Sequence, residues 1–284
     1  MFGRFLSLTK PGIIRGNLLT AVAGFLLAAQ GTIHFVTLAA MAVGLSLIVA
    51  SACVFNNYID RGIDKKMART KHRALVEGTI APSAALVFAS TLGAIGTVIM
   101  LLGTTLVALV SALFGLFAYV VLYGIAKRAG SYGTLVGAIS GAIPPVVGYT
   151  AVTDSIDLAA ILLFVILIFW QMPHFYAIAL YRQKDYASAG IPVLPVVSGI
   201  QKTKLYILLY IAGYTIAVTL LTVFGYTGYV YLAVSLILGL VWARQAIAGQ
   251  KTSDTVVWAK SIFQFSLIVI AVLSLTLSVD HWLV

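Results

Sequence analysis

From Leu86 to Ala126 the chain reads LVFASTLGAIGTVIMLLGTTLVALVSALFGLFAYVVLYGIA, 41 residues without an Asp, Glu, Lys or Arg. As a single helix, at about 1.5 Å per residue, this stretch would be roughly 60 Å long, about twice the hydrocarbon thickness of a bilayer. It therefore reads as two spans with a tight turn at Gly103-Thr104, where glycine takes turn dihedrals at little cost. The 44 uncharged residues Gly16 to Ile59 and the 39 of Leu205 to Ala243 divide in the same way, at Gly31-Thr32 and across Gly225 to Gly228. Ala129 to Thr153 (25 residues), Leu158 to Tyr181 (24) and Ser261 to Val279 (19) hold one span each. Nine helices are predicted, near Ile13–Gln30, Val36–Phe55, Ala84–Leu102, Thr105–Ala126, Thr134–Val152, Leu158–Leu180, Leu205–Phe224, Tyr229–Ala246 and Ile262–Val279.

Composition agrees. Of 284 residues 61% are hydrophobic and 9% charged, with mean hydropathy +1.06, whereas a soluble domain carries about 25% charged residues. A soluble globule is excluded, and so is a disordered chain, which needs low hydrophobicity and dense charge. The expectation is an all-α polytopic membrane protein whose residues 1–284 form a single transmembrane domain. Arg4, Lys10 and Arg15 ahead of an apolar stretch imitate a secretion signal, but the apolar stretch runs on, so the first helix is read as retained. Cys53 has no partner for an intrachain disulfide, and no Cys/His zinc spacing occurs. The excess of 18 Lys+Arg over 8 Asp+Glu is topological here and does not indicate nucleic acid.

Every one of those 18 bases falls at the N-terminus, in the loops after helices 2, 4 and 6, or around the end of helix 8. The loops after helices 1, 3, 5 and 7 and the C-terminal tail have none. Positive charge stays on the cytoplasmic side. The N-terminus is thus expected in the cytoplasm, and the long loops 56–83 and 181–204 are expected to carry the function on that face.

The first of these reads Asn56-Asn57-Tyr58-Ile59-Asp60-Arg61-Gly62-Ile63-Asp64-Lys65-Lys66-Met67-Ala68-Arg69-Thr70-Lys71-His72-Arg73. If helix 2 continues, Asn56, Asp60 and Asp64 share one face on successive turns. Two carboxylates at that spacing repel each other, and residue 68 is Ala, so no base follows within the stripe. A divalent cation resolves the conflict. Mg²⁺ suits an all-oxygen site completed by water and substrate phosphates, and Arg61, Lys65, Arg69, Lys71 and Arg73 supply anion-binding groups around it. The plainer reading is a solvated loop whose acids offset its bases.

Helix 6 ends Trp170-Gln171-Met172-Pro173-His174-Phe175, followed by Tyr181-Arg182-Gln183-Lys184-Asp185-Tyr186. Pro173, like Pro144-Pro145 in helix 5, removes a backbone donor inside a span, which suits a helix beside a cavity. His174, polar within an apolar helix, is expected to face that cavity or to be a hydrogen-bonded core residue. Asp185, flanked by Arg182 and Lys184, either holds a metal, orients a base or forms a surface ion pair. Trp170, Phe175, Tyr181 and Tyr186 form an interfacial aromatic belt whose faces also stabilise cations.

These residues resemble the UbiA superfamily of intramembrane prenyltransferases. The resemblance lies in Asn56 to Arg73 with its Arg69-Thr70-x2-Arg73. More narrowly, Val54 to Arg61, Trp170 to His174, Asp185-Tyr186 leading to Ile191-Pro192-Val193-Leu194-Pro195, Thr9 to Gly12 and Gly141 to Pro145 are similar to the haem-accepting branch. Many members carry a second Asp-x3-Asp after helix 6. Here its first position is Tyr181 and only Asp185 remains.

The resemblance implies a Mg²⁺-dependent enzyme of the cell inner membrane, open at its cytoplasmic face. It would transfer farnesyl from farnesyl diphosphate to the 2-vinyl group of haem b, with water addition, giving haem O and diphosphate. It also implies Asn56, Asp60 and Asp64 as metal ligands and catalytic groups with Asp185. Arg69, Lys71, Arg73, Arg182, Lys184, Trp170, Tyr181, His174 and His72 become substrate contacts, with His174 before His72 for the haem iron. Membrane lipid and haem-handling or terminal-oxidase assembly proteins are the expected partners. Rival readings are prenyl transfer to an aromatic acid or quinone precursor, a non-catalytic haem-binding membrane protein, and a transporter. The last would carry ionisable groups along a midplane path, which the helix interiors lack.

Overall fold

The computed structural model describes residues 2–283. Among the described residues nine helices are long and apolar enough to cross a membrane: α1 Pro11–Ala29, α2 Phe35–Asp64, α3 Pro82–Gly103, α4 Leu106–Ala129, α5 Gly133–Thr153, α6 Leu158–Tyr181, α7 Ile200–Val223, α8 Tyr229–Ala248 and α9 Thr255–Val279. No strand occurs among the described residues. The expected turns are present, with Gly31 and Gly225 at positive φ (85° and 77°).

Three boundaries differ from expectation by five residues or more: α7 begins at Ile200, ahead of the predicted Leu205, with Lys202 and Lys204 inside the helix, and the other two have local reasons of their own. α9 begins at Thr255, ahead of the predicted Ile262, because the Asp254 carboxylate accepts a bond from Val257 N at 3.0 Å and caps the helix there. A boundary drawn at charged residues stops at Lys260, which the helix carries on its surface. α2 runs 30 residues, about 45 Å, so its last turns outreach the hydrocarbon core and deliver Asp60 and Asp64 beyond it.

α1 packs against α5, α9 and α2, α5 also against α4 and α6, and α6 against α7 and α9. The α1–α5 crossing is backbone on backbone. A Cβ on Gly24 would strike the Pro145 carbonyl, and one on Gly148 would strike that of Ala21. Close approach through small residues is how helices adhere in lipid, where apolar contact with a neighbour gains nothing over contact with a tail. Pro144, Pro145 and Pro173 lie inside helices that run on through them. Pro144 and Pro145 release the carbonyls of Ser140 and Gly141 from helical bonding, and both those residues line the cavity described next.

Candidate active site

A cavity of about 660 Å³ lies between α1, α2, α4, α5, α6 and α9, bordered at its mouth by the loop after α2 and by the short helix Gln183–Ser188. Asn56, Asp60 and Asp64 all line it, so the i, i+4, i+8 stripe is real and faces inward. The same wall holds Arg69, Arg73, Trp170, His174, Tyr181 and Arg182. Lys71, His72, Lys184 and Asp185 are not on it. His72 is solvent-exposed and lies 3.1 Å from the Glu77 carboxylate. Asp185 sits on the short helix with Arg182 Nη1 3.9 Å away.

The repulsion along the stripe is relieved in a way the sequence reading did not foresee, by a separate base for each acid. Lys127, buried at the end of α4, places Nζ 2.6 Å from Asp60 Oδ2 and 2.5 Å from Oδ1. The ammonium thus straddles both carboxylate oxygens, and Arg128 Nη2 stands 3.8 Å from Oδ1. Arg73 folds back across the loop to bring Nη1 within 2.6 Å of Asp64 Oδ2. The Thr70 hydroxyl donates to the Asp64 carbonyl at 3.1 Å and fixes that fold-back.

Lys10 is the third base. Its Nζ donates to Asn56 Oδ1 at 3.1 Å, while buried Asn56 Nδ2 has no partner. Lys10 itself has φ 52°, a left-handed conformation that costs a non-glycine residue on the order of 1–3 kcal/mol. It sits between the short helix Phe2–Leu8 and α1, a junction held by Asn57 Nδ2 donating to the Leu8 carbonyl at 2.8 Å. Burial lowers the Lys10 ammonium from its ordinary 10.5 to about 8.

Beyond the charged end the wall turns aromatic. Tyr119, within a π-helical stretch of α4, Ala118–Leu122, stacks at 5.7 Å on Tyr123 just after it, and the Lys127 ammonium lies 5.1 Å from the Tyr123 ring. Single π turns within α-helices recur at functional sites. Burial also raises the Tyr186 hydroxyl pKa, and Tyr186 lines the mouth. Lys127, Tyr119 and Tyr123 were missed from sequence, although they repeat the α2 pattern as Tyr-x3-Tyr-x3-Lys at the same end of α4.

The donor set is two carboxylates and an amide oxygen on one helix face, each also in contact with a base. No cluster of three His, Cys, Asp or Glu occurs among the described residues. That fits a hard, largely hydrated ion completed by substrate oxygens and does not fit a closed protein cage.

Residues 17–268 match the family model described as the UbiA prenyltransferase family. Two curated relatives, each named "Protoheme IX farnesyltransferase", come from Edwardsiella ictaluri (strain 93-146) and Serratia proteamaculans (strain 568). Each is 50% identical over 281 residues, covering 99% of this chain and 95% of the relative. Among solved structures, one described as concerned with digeranylgeranylglyceryl phosphate synthase superposes with TM-score 0.81 at 17% identity, covering 100% of this chain and 99% of the other. A UbiA homologue from Archaeoglobus fulgidus bound to GPP and Mg²⁺ gives 0.71 at 14% identity, covering 97% and 99%. The family model over residues 17–268 and the half-identical full-length relatives agree: this chain belongs to the UbiA prenyltransferase family.

Proposed function

We propose that the protein transfers the farnesyl group of farnesyl diphosphate to the 2-vinyl group of haem b, with addition of water, yielding haem O and diphosphate. The observation that carries this reading is the union, in one cavity, of the acid–base end at Asn56, Asp60 and Asp64 with the aromatic wall of Trp170, His174 and Tyr181. Relatives of that name, half identical across the whole chain, support the acceptor.

The demanding step is heterolysis of the allylic C1–O bond. The electron pair leaves with diphosphate and the farnesyl carbon becomes cationic. Asn56, Asp60 and Asp64 would hold Mg²⁺, which when bound supplies Lewis-acid stabilisation of the leaving diphosphate. Lys10, Arg69, Arg73, Lys127 and Arg182 bind the diphosphate oxygens and stabilise the charge that develops on them in a site shielded from water. The stacked faces of Tyr119 and Tyr123 stabilise the allylic cation. The vinyl π electrons capture that cation, forming the C–C bond and moving positive charge to the porphyrin-side carbon. Water adds there and releases a proton.

Trp170, Phe175 and Tyr181 form the porphyrin wall. Asp185 acts on Arg182, while exposed Lys71, His72 and Lys184 contribute positive potential around the mouth. Residues 1–284 work as a single domain, multi-pass in the inner membrane, with the N-terminus and the cavity mouth on the cytoplasmic side. Haem-handling or terminal-oxidase assembly proteins are the partners that product hand-over calls for.

The test is mass spectrometry of haem extracted after incubating the purified protein with haem b, farnesyl diphosphate and Mg²⁺. Farnesylated, hydrated haem should appear and should vanish with a chelator. Farnesylation of 4-hydroxybenzoate with no product on haem would replace the acceptor assigned here.

A further inference from the structure

His174 lies seven residues, about 10 Å, from the end of α6, and its contacts specify more than proximity. Its Nδ1 is 2.7 Å from Ser266 Oγ of α9. The Ser266 hydroxyl has a single proton and sits 2.5 Å from the Phe263 carbonyl, to which it donates. Toward His174 the hydroxyl is therefore an acceptor, and the imidazole proton sits on Nδ1. A neutral imidazole with its proton there has a bare lone pair on Nε2. Among the described residues nothing hydrogen-bonds to Nε2. Nor is it one of the occluded unpartnered atoms, and His174 lines the cavity. The opposite tautomer would aim an N–H with no acceptor at that space.

The ring is held as firmly as the proton. Trp170 stacks on it at 5.1 Å, and Phe263 and Phe175 flank it at 4.9 and 5.4 Å. Trp170 Nε1 donates to the Ser266 carbonyl at 2.8 Å, so both ends of the α6–α9 contact fix the same pair of residues.

We propose that His174 Nε2 is the axial ligand to the iron of the porphyrin substrate, and that Ser266 is the positioning residue that selects this tautomer and ring orientation. The proposal rests on the acceptor being haem, as assigned above. Histidines that bind metal characteristically donate their other N–H to a fixed acceptor, which raises ligand basicity and aims the lone pair. Ligation at this depth buries the macrocycle against the aromatic wall. It also anchors the acceptor independently of the diphosphate end, so the two substrates need not bind in a fixed order.

The experiment titrates the purified full-length protein with haem b in detergent, without farnesyl diphosphate, and records absorption and ferrous resonance Raman spectra. Wild type should show an iron–imidazole stretch. H174A should lose it, and added imidazole should restore ligation, showing that the variant is folded with an intact pocket. S266A should weaken haem binding about 10- to 100-fold and shift the iron–imidazole frequency, while S266T returns both towards wild type. An unchanged spectrum in H174A, or a thiolate-type spectrum that Cys53→Ser abolishes, overturns His174 as ligand and leaves the transferase reading standing. Unchanged affinity and frequency in S266A overturn the positioning role. If wild type binds no haem and farnesylates only 4-hydroxybenzoate, the acceptor assignment falls and this inference with it.

Discussion

The loops after α2 and α6 occupy matching places in the chain, each following a span that ends in aromatic, acidic and basic residues, yet they meet the cavity differently. The first, 65–81, turns two of its bases to the cavity: Arg73 grips Asp64 at 2.6 Å, and Arg69 lines the wall. The second spends its inward positions on Tyr181, Arg182 and Tyr186 and holds Asp185 outside, near Arg182. The contrast begins at one position. An acid at residue 181 would stand one turn before Asp185 and give a second carboxylate pair; tyrosine gives an aromatic face. On the proposed reading, one rim of the cavity binds diphosphate and a cation, and the other meets a flat apolar acceptor.

The sharpest way to break that contrast is to remove the acids of the first rim. Asp60→Ala or Asp64→Ala should cut farnesyl transfer at least about 100-fold, since the lost group acts on charge that develops in the transition state. Both variants should still reach the membrane as folded protein. Substantial turnover by the double variant would move the leaving-group site elsewhere.

Next in size is Lys127→Met, whose first effect is on stability. It leaves the Asp60 carboxylate with only the half-exposed Arg128 guanidinium, 3.8 Å away, so the cost should approach that of a broken buried pair, about 3–5 kcal/mol. Melting in detergent should fall accordingly and recover in Lys127→Met/Asp60→Asn, which stays inactive. If the single variant melts like wild type, Asp60 is better solvated than its 15% side-chain exposure implies.

The helix count and the α2 stripe were legible because both are local facts. Charge-free length sets the number of spans, and a 3.6-residue period sets which side chains share a face. The ion pairs were not legible, because Lys127 lies 67 positions from Asp60 and Lys10 46 from Asn56. A stripe of acids announces that positive charge must come from somewhere, and sequence alone favoured a metal over bases brought in by other helices. The α4 stripe Tyr119, Tyr123, Lys127 was readable in principle. It closes an otherwise uncharged run at the same end as Asp60, where a basic residue is what topology alone calls for. Ser266 had no signal at all, being one small polar residue in an apolar span whose importance comes only from packing against His174.

Lys10 belongs to the first rim but reaches it from α1, and Lys10→Met isolates that contribution. A hydrogen bond to a charged group is worth about 1.5–3 kcal/mol. KM for farnesyl diphosphate should therefore rise roughly tenfold or more while that for haem holds. An equal rise in both constants would show that the junction between the short N-terminal helix and α1 shapes the whole cavity.

The smallest expected effect tests the second rim. Asp185→Asn removes a carboxylate that lies 3.9 Å from Arg182, whose side chain is 45% exposed. Exposed pairs of this kind are worth no more than about 1 kcal/mol, so kcat/KM should fall by no more than about fivefold, through KM. Asp185→Ala should match it, because an orienting contact with a half-exposed guanidinium does not depend on the shape of what replaces the acid. A loss as deep as that of Asp60→Ala, with Asn as damaging as Ala, would mean that the short helix Gln183–Ser188 swings inward when diphosphate binds and brings its acid to a second cation. The two rims would then be alike in the working enzyme and different only at rest.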